Sequence, residues 1–131
     1  MALYDFDLYH VPPPPLRKDY KIGVIGTGFI VRDIQLVAYR SAGYQVAGIA
    51  SRSYEAAREV ADQRELPRAY ESIQELLADP AIEVIDIAIP PDQQIEIVRQ
   101  AAKQAKHIKG ILCQKPLAVT YSEACEIVEI C

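Results

Sequence analysis

Tyr20-Lys21-Ile22-Gly23-Val24-Ile25-Gly26-Thr27-Gly28-Phe29-Ile30-Val31 reads as a buried strand, a glycine turn and the start of a helix. Ile22, Val24 and Ile25 form a short β-branched run bounded by glycines. Gly26 and Gly28 remove two side chains where the chain must turn. From Phe29 onward the spacing is helical, and Ile30, Ile34, Val37 and Ala38 are expected to form the inward face. A strand that feeds a helix through Gly-x-Gly leaves bare N–H groups at the helix N-terminus, where a phosphate is favoured. This is the first half of a dinucleotide fingerprint. Its third small position holds Val31, which is expected to push the helix outward. The alternative is a plain tight turn.

The 131 residues suffice for about one domain. A net charge of −4, with no basic stripe, argues against a nucleic-acid partner. No apolar run is long enough to cross a membrane, and the acidic start lacks signal-peptide character. A cytoplasmic location is expected. Cys113, Cys125 and Cys131 have no metal spacing and read as reduced packing residues.

Residues 1–19 form a proline-rich arm. Pro12-Pro13-Pro14-Pro15 enforces a polyproline II segment. Tyr4, Phe6, Leu8 and Tyr9 suit either a partly ordered tail or a contact with another subunit, and His10 carries no assigned chemistry. Residues 20–131 form the domain. After the first helix, Gly43 is a stop. Tyr44–Ala50 is the second strand, and Ser53 caps a helix facing inward through Ala57, Val60 and Ala61. Arg68-Ala69-Tyr70 is a very short third strand. Ser72-Ile73-Gln74-Glu75 is a capping box. Val84–Ile89 is the fourth strand, and Pro90-Pro91 opens a helix with Ile95, Val98, Ala102 and Ala105 inward. Ile108–Cys113 is the fifth strand, with Lys109-Gly110 a bulge or late strand start. Thr120-Tyr121-Ser122-Glu123 is a second capping box, before a helix carrying Ala124, Ile127, Val128 and Cys131.

Strands alternating with helices imply an α/β fold, a doubly wound Rossmann-type parallel sheet with right-handed crossovers. Ligands in such sheets bind beyond the carboxyl ends of the strands. Gly26–Ile30, Ser51-Arg52, Ile89–Pro91 and Gln114-Lys115 all follow strands and should converge on one rim. Ser51-Arg52 ends the second strand where an NAD site carries a carboxylate. A hydroxyl and a guanidinium suit a 2′-phosphate, which favours NADP over NAD; otherwise Arg52 is a solvated surface residue. The nearest acid is Glu55. Lys115, fixed by Pro116, could donate to a substrate hydroxyl and exchange a proton with it; otherwise it is a surface lysine. Asp86, mid-strand, needs a partner and reads as hydrogen-bonded to a neighbouring loop more than as a catalyst. His107 reads as structural.

Gly23-Val24-Ile25-Gly26-Thr27-Gly28-Phe29-Ile30, Ile49-Ala50-Ser51-Arg52-Ser53, Ile87-Ala88-Ile89-Pro90-Pro91, Lys106-His107-Ile108 and Cys113-Gln114-Lys115-Pro116-Leu117-Ala118 together resemble the N-terminal half of the glucose–fructose oxidoreductase / inositol dehydrogenase / MocA family. The resemblance implies a domain holding NAD(P) and hydride transfer to or from a sugar or polyol carbon. It implies cofactor contacts at Gly26, Thr27, Gly28, Phe29, Ile30, Ser51, Arg52, Ile89, Pro90, Gln94, Gln114 and Lys115, with Lys115 the catalytic lysine of the family's Glu-Lys-Pro motif. Four positions depart from the pattern: Val31 for a small residue, Ile89 for threonine, Gln94 for histidine and Gln114 for glutamate. Family members continue into a second α/β domain with the substrate pocket and dimer face. The chain ends before it, so it should bind nucleotide without turning over a sugar. The arm resembles those that wrap a neighbouring subunit, which would make a homo-oligomer. A non-catalytic nucleotide sensor, or an assembly domain with a vestigial glycine turn, are the alternatives.

Overall fold

The computed structural model describes residues 12–131. The Tyr4, Phe6, Leu8, Tyr9 and His10 readings lie outside the described residues. Four strands, β1 (Lys21–Ile25), β2 (Gln45–Ala50), β3 (Val84–Ile87) and β4 (Gly110–Cys113), form one parallel sheet in the order β2-β1-β3-β4. The register sets Val24 beside Ile49 on one side and Asp86 on the other. All four strands point the same way, so their carboxyl ends share one rim.

Two helical layers cover the sheet. On one face, Ile22, Val24 and Ile49 pack against Val31, Leu36, Ala57, Val60 and Ala61. These come from a π-helical segment (Ile30–Gln35) running into α1 (Leu36–Ala42), and from α2 (Tyr54–Arg64). On the other face, Ile25, Ile85 and Ile87 pack against Leu76, Leu77, Ile95, Val98, Ala101 and Ile127. Those residues belong to α3 (Ile73–Ala78), α4 (Pro91–Gln104) and α5 (Tyr121–Ile130). Removing such branched side chains from water stabilises by about 1.5–3 kcal/mol each.

Several elements differ from expectation. Ile30, Ile34 and Val37 are not the inward face: they are 52%, 51% and 41% exposed, while Val31 and Leu36 are buried. The Leu36 N–H donates to the Val31 carbonyl, an i→i+5 bond, so residues five apart align and the buried stripe moves. The Val31 isopropyl group therefore enters the core, and the helix opens around it rather than being only pushed away. On α4, Ala102 is exposed, and Ile97 and Ala101 share the buried face with Ile95, Val98 and Ala105. On α5, Ile127 is buried but Val128 is 68% exposed.

The third strand shrinks to one parallel bridge, Ile49 to Ala69. The Ile49 N–H donates to Arg68 and the Tyr70 N–H to Ile49. Pro67 on one side and the Ser72 cap on the other leave no room for a longer ladder. The fourth strand is shorter than expected, ending at Ile87, and the fifth has the late start at Gly110.

The helix signals are mostly local and mostly obeyed. Gly43 adopts φ 78° and stops α1. Thr120 accepts from the Glu123 N–H while the Glu123 carboxylate accepts from the Thr120 N–H, a full capping box. At Ser72 the box is half formed: its hydroxyl accepts from the Glu75 N–H at 3.0 Å, but the Glu75 carboxylate turns to the Glu71 N–H and to Arg68.

Candidate nucleotide-binding site

The turn after β1 is built by two glycines with different jobs. Gly26 sits at φ 124°, a conformation that side chains disfavour, and a Cβ there would collide with the Ala88 carbonyl. Its N–H donates to the Ala50 carbonyl at 2.9 Å, tying the turn to the end of β2. Gly28 has open space where its Cβ would be, with no atom within 4 Å. The protein's own packing does not demand glycine at 28. A ligand brought against the main chain would. Among the described residues, no acceptor pairs with the N–H groups of Thr27, Gly28 or Phe29, so they are available to an anion.

A cleft of about 530 Å³ opens at this rim. Gly26, Thr27, Gly28, Ser51, Arg52, Ile89 and Pro90 line it, seven residues that sequence spacing brings to one rim. Ser53, Ile73, Ala88, Asp92, Gln93, Glu96 and Ile97 line it too. Asp92 and Gln93 follow Pro90-Pro91 directly, so the strand-end rule could have found them. Ile73 and Ile97 reach the cleft from α3 and α4, and no local sequence signal marks them. Phe29 and Ile30 are exposed on the helix start rather than in the cleft wall.

The Ser51-Arg52-Ser53 loop is shaped by its own hydroxyls. Ser51 Oγ donates to the Ser53 carbonyl at 2.7 Å and accepts from the Ser53 N–H at 3.2 Å. Its proton is thus spent on the loop and not held out to a ligand. Ser53 Oγ caps α2 by accepting from the Ala56 N–H at 3.2 Å, and lies 3.3 Å from Glu55 Oε2. Arg52 is exposed and has no ion-pair partner among the described residues.

Gln94, expected to touch the cofactor, is fully buried and outside the cleft wall. Its amide donates to the carbonyls of Gln114 and Pro116, each at 2.9 Å. The helical position that carries it faces the β4 loop, which spacing alone does not reveal. Gln114 and exposed Lys115 follow β4 on the same rim, beyond the cleft wall. The Gln114 N–H donates to the Ile87 carbonyl at 3.0 Å and extends the β3–β4 ladder by one bond.

Asp86 lies below this loop, fully buried on the face of α1. Tyr39 Oη donates to its Oδ2 at 2.7 Å. The expected structural hydrogen bond thus comes from a helix rather than a loop. Burial pushes the Asp86 carboxyl above its ordinary range, with Tyr39 and Gln114 pulling it back. The Gln114 side chain is near enough to ease the charge but makes no well-formed bond, and Oδ1 has no partner among the described residues. Burial and the Asp86 carboxylate both push the Tyr39 phenol up, so it stays a donor.

Strand-end glycines, open amides and a cleft along one rim define a dinucleotide-binding domain of the doubly wound class. The chain matches the Gfo/Idh/MocA oxidoreductase family, NAD-binding Rossmann fold, over residues 20–131, and belongs to it. It is 33% identical over 109 residues to D-xylose 1-dehydrogenase (NADP(+)) 2 of Haloferax volcanii, covering 83% of this chain and 33% of that protein. It is 33% identical over 108 residues to trans-1,2-dihydrobenzene-1,2-diol dehydrogenase of Mus musculus, covering 81% and 32%. The 3-ketoreductase KijD10 of Actinomadura kijaniata, solved with NADP and TDP-benzene, shares the fold at a TM-score of 0.75 and 23% identity, over 86% of this chain and 34% of that one. The chain spans about a third of the length of these relatives. No described helix is long and apolar enough to cross a membrane.

Proposed function

We propose that this chain is the nucleotide-binding domain of an NADP-preferring oxidoreductase acting on a sugar or polyol hydroxyl. The observation that carries this reading is Gly28: an unhindered position at a helix start, opening on a cleft whose far lip is the unpaired Arg52. The bare cradle fits a pyrophosphate, because the missing Cβ lets oxygen atoms approach the N–H groups. Arg52 fits a 2′-phosphate through its charge and planar fork. The NADP named for the Haloferax relative agrees with this assignment.

The nicotinamide, when bound, supplies the hydride donor or acceptor. The chain's residues do the rest. The turn at Gly26–Gly28 and the start of the π-helical segment at Phe29-Ile30 hold the pyrophosphate. Arg52 anchors the adenosine end, and the Ser51 and Ser53 hydroxyls keep its loop in shape. Lys115 takes the hydroxyl proton as a neutral amine when the carbon is oxidised, and as an ammonium returns a proton to the carbonyl oxygen when the carbon is reduced.

A second reading is NAD, favoured by Glu55, whose carboxylate lies beside Ser53 where a ribose diol could be bonded. Titration of NADPH and NADH, followed by reduced-nicotinamide fluorescence, separates the two. Arg52→Ala should weaken NADPH by about tenfold or more, the value of a charge-assisted bond, and leave NADH nearly unchanged. Equal losses would refute the 2′-phosphate assignment. No binding of either nucleotide by the parent chain would leave only the assembly role.

A further inference from the structure

The Lys115 side chain has no tether of its own among the described residues, yet the chain on both sides of it is pinned. Gln94 bridges the two flanking carbonyls, Gln114 and Pro116, through the two hydrogens of one amide, at 2.9 Å each. Two carbonyl acceptors fix which end of the amide faces the loop, since only the nitrogen can donate. The Gln94 Oε1 is then left buried without a partner among the described residues. That is a cost accepted for a specific geometry, because a buried polar atom without a bond is unfavourable. A side chain kept only to fill volume would have no need of it.

The element carrying Gln94 adds a second observation. Asp92, Gln93, Glu96 and Ile97 of the same α4 line the nucleotide cleft. One helix end therefore touches the cleft with some of its residues and holds the Lys115 loop with another. A shift of α4 toward a bound nucleotide must carry the loop with it.

We propose that Gln94 is the positioning residue of this site: it spans the carbonyls on either side of Lys115 and so sets where the ammonium group stands over the nicotinamide end of the cleft. The inference rests on the nucleotide-binding reading above, and it assigns Gln94 no contact with substrate or cofactor. Methionine at this position would keep the volume and lose both donors. Histidine could keep one donor at a time.

The test compares the parent chain, Gln94→Met and Gln94→His. Binding of NADPH is compared with that of 2′,5′-ADP, which lacks the nicotinamide half. In parallel, lysines are ¹³C-methylated and the Lys115 signal, identified by Lys115→Arg, is read by NMR without nucleotide. Gln94→Met should weaken NADPH by about tenfold, the value of roughly one hydrogen bond from the displaced Gln114-Lys115 loop to the nicotinamide half, with 2′,5′-ADP unchanged. Gln94→His should fall between. The free-chain Lys115 signal should shift or broaden in both variants. Parallel losses for both nucleotides would overturn the proposal and leave Gln94 a packing residue, as would a Lys115 signal that superposes on the parent's. If the parent binds neither nucleotide, the nucleotide reading fails while the NMR comparison still decides the role of Gln94.

Discussion

Gly26 and Gly28 are two residues apart and alike in sequence, but the fold treats them differently. Gly26 is required by the protein: its φ of 124° and the Ala88 carbonyl leave no room for a methyl group. Gly28 is required by nothing among the described residues. Gly26→Ala should therefore cost about 1–3 kcal/mol of stability from backbone strain, and more with the clash. Gly28→Ala should leave the urea midpoint unchanged and still lower NADPH affinity at least about tenfold, because the methyl group stands where the phosphates approach. Denaturant titration and nucleotide fluorescence on both variants give the comparison. Intact nucleotide binding in Gly28→Ala would mean that the turn is only a turn.

Among elements, the first helix departs most from its sequence pattern. Ile30, Ile34 and Val37 follow 3.6-residue spacing, yet the i→i+5 bond from Leu36 to Val31 turns them outward. The reason is visible in one residue. Val31 replaces a small side chain, and burying its isopropyl group among Ile22, Val24 and Leu36 rotates the apolar seam. Helix α5 is the opposite case, where local signals suffice. Thr120 and Glu123 satisfy each other's amides. Thr120→Ala should destabilise the chain by about 1 kcal/mol, measured by urea denaturation. An unchanged midpoint would mean that packing of Ile127 and the Arg99–Glu126 pair holds the helix end without the cap.

At the scale of the molecule, stability should carry a pH signature from the sheet interior. Asp86 titrates above the ordinary carboxyl value because burial disfavours its charge. The folded chain then binds its proton more readily than the unfolded chain does. Its contribution to stability is fullest below the ordinary pKa of about 3.9 and declines as pH rises through the folded value. Half-buried acids such as Asp33 and Glu83, held low by Arg32 and Lys109, act in the reverse sense. The difference in unfolding free energy, parent minus Asp86→Asn, should therefore fall as pH rises from about 4. A flat difference would place Asp86 at its ordinary value.

What was readable from the residues was whatever a short window of chain controls. The glycine turn, the alternation of strands and helices, the Ser53 and Thr120 caps and the Gly43 stop depend on neighbours within a few positions. The rule that strand ends face one rim then gathered the cleft's glycines, Ser51, Arg52, Ile89 and Pro90 without coordinates. Membership of the family followed from the order of those motifs. Only the tertiary structure decided which side of the first helix is buried, that Ile73 and Ile97 wall the cleft, and that Gln94 bonds the carbonyls flanking Lys115. Each of these depends on contacts between segments far apart in sequence, and a side chain's partner across such a distance is fixed by how the helices pack on the sheet.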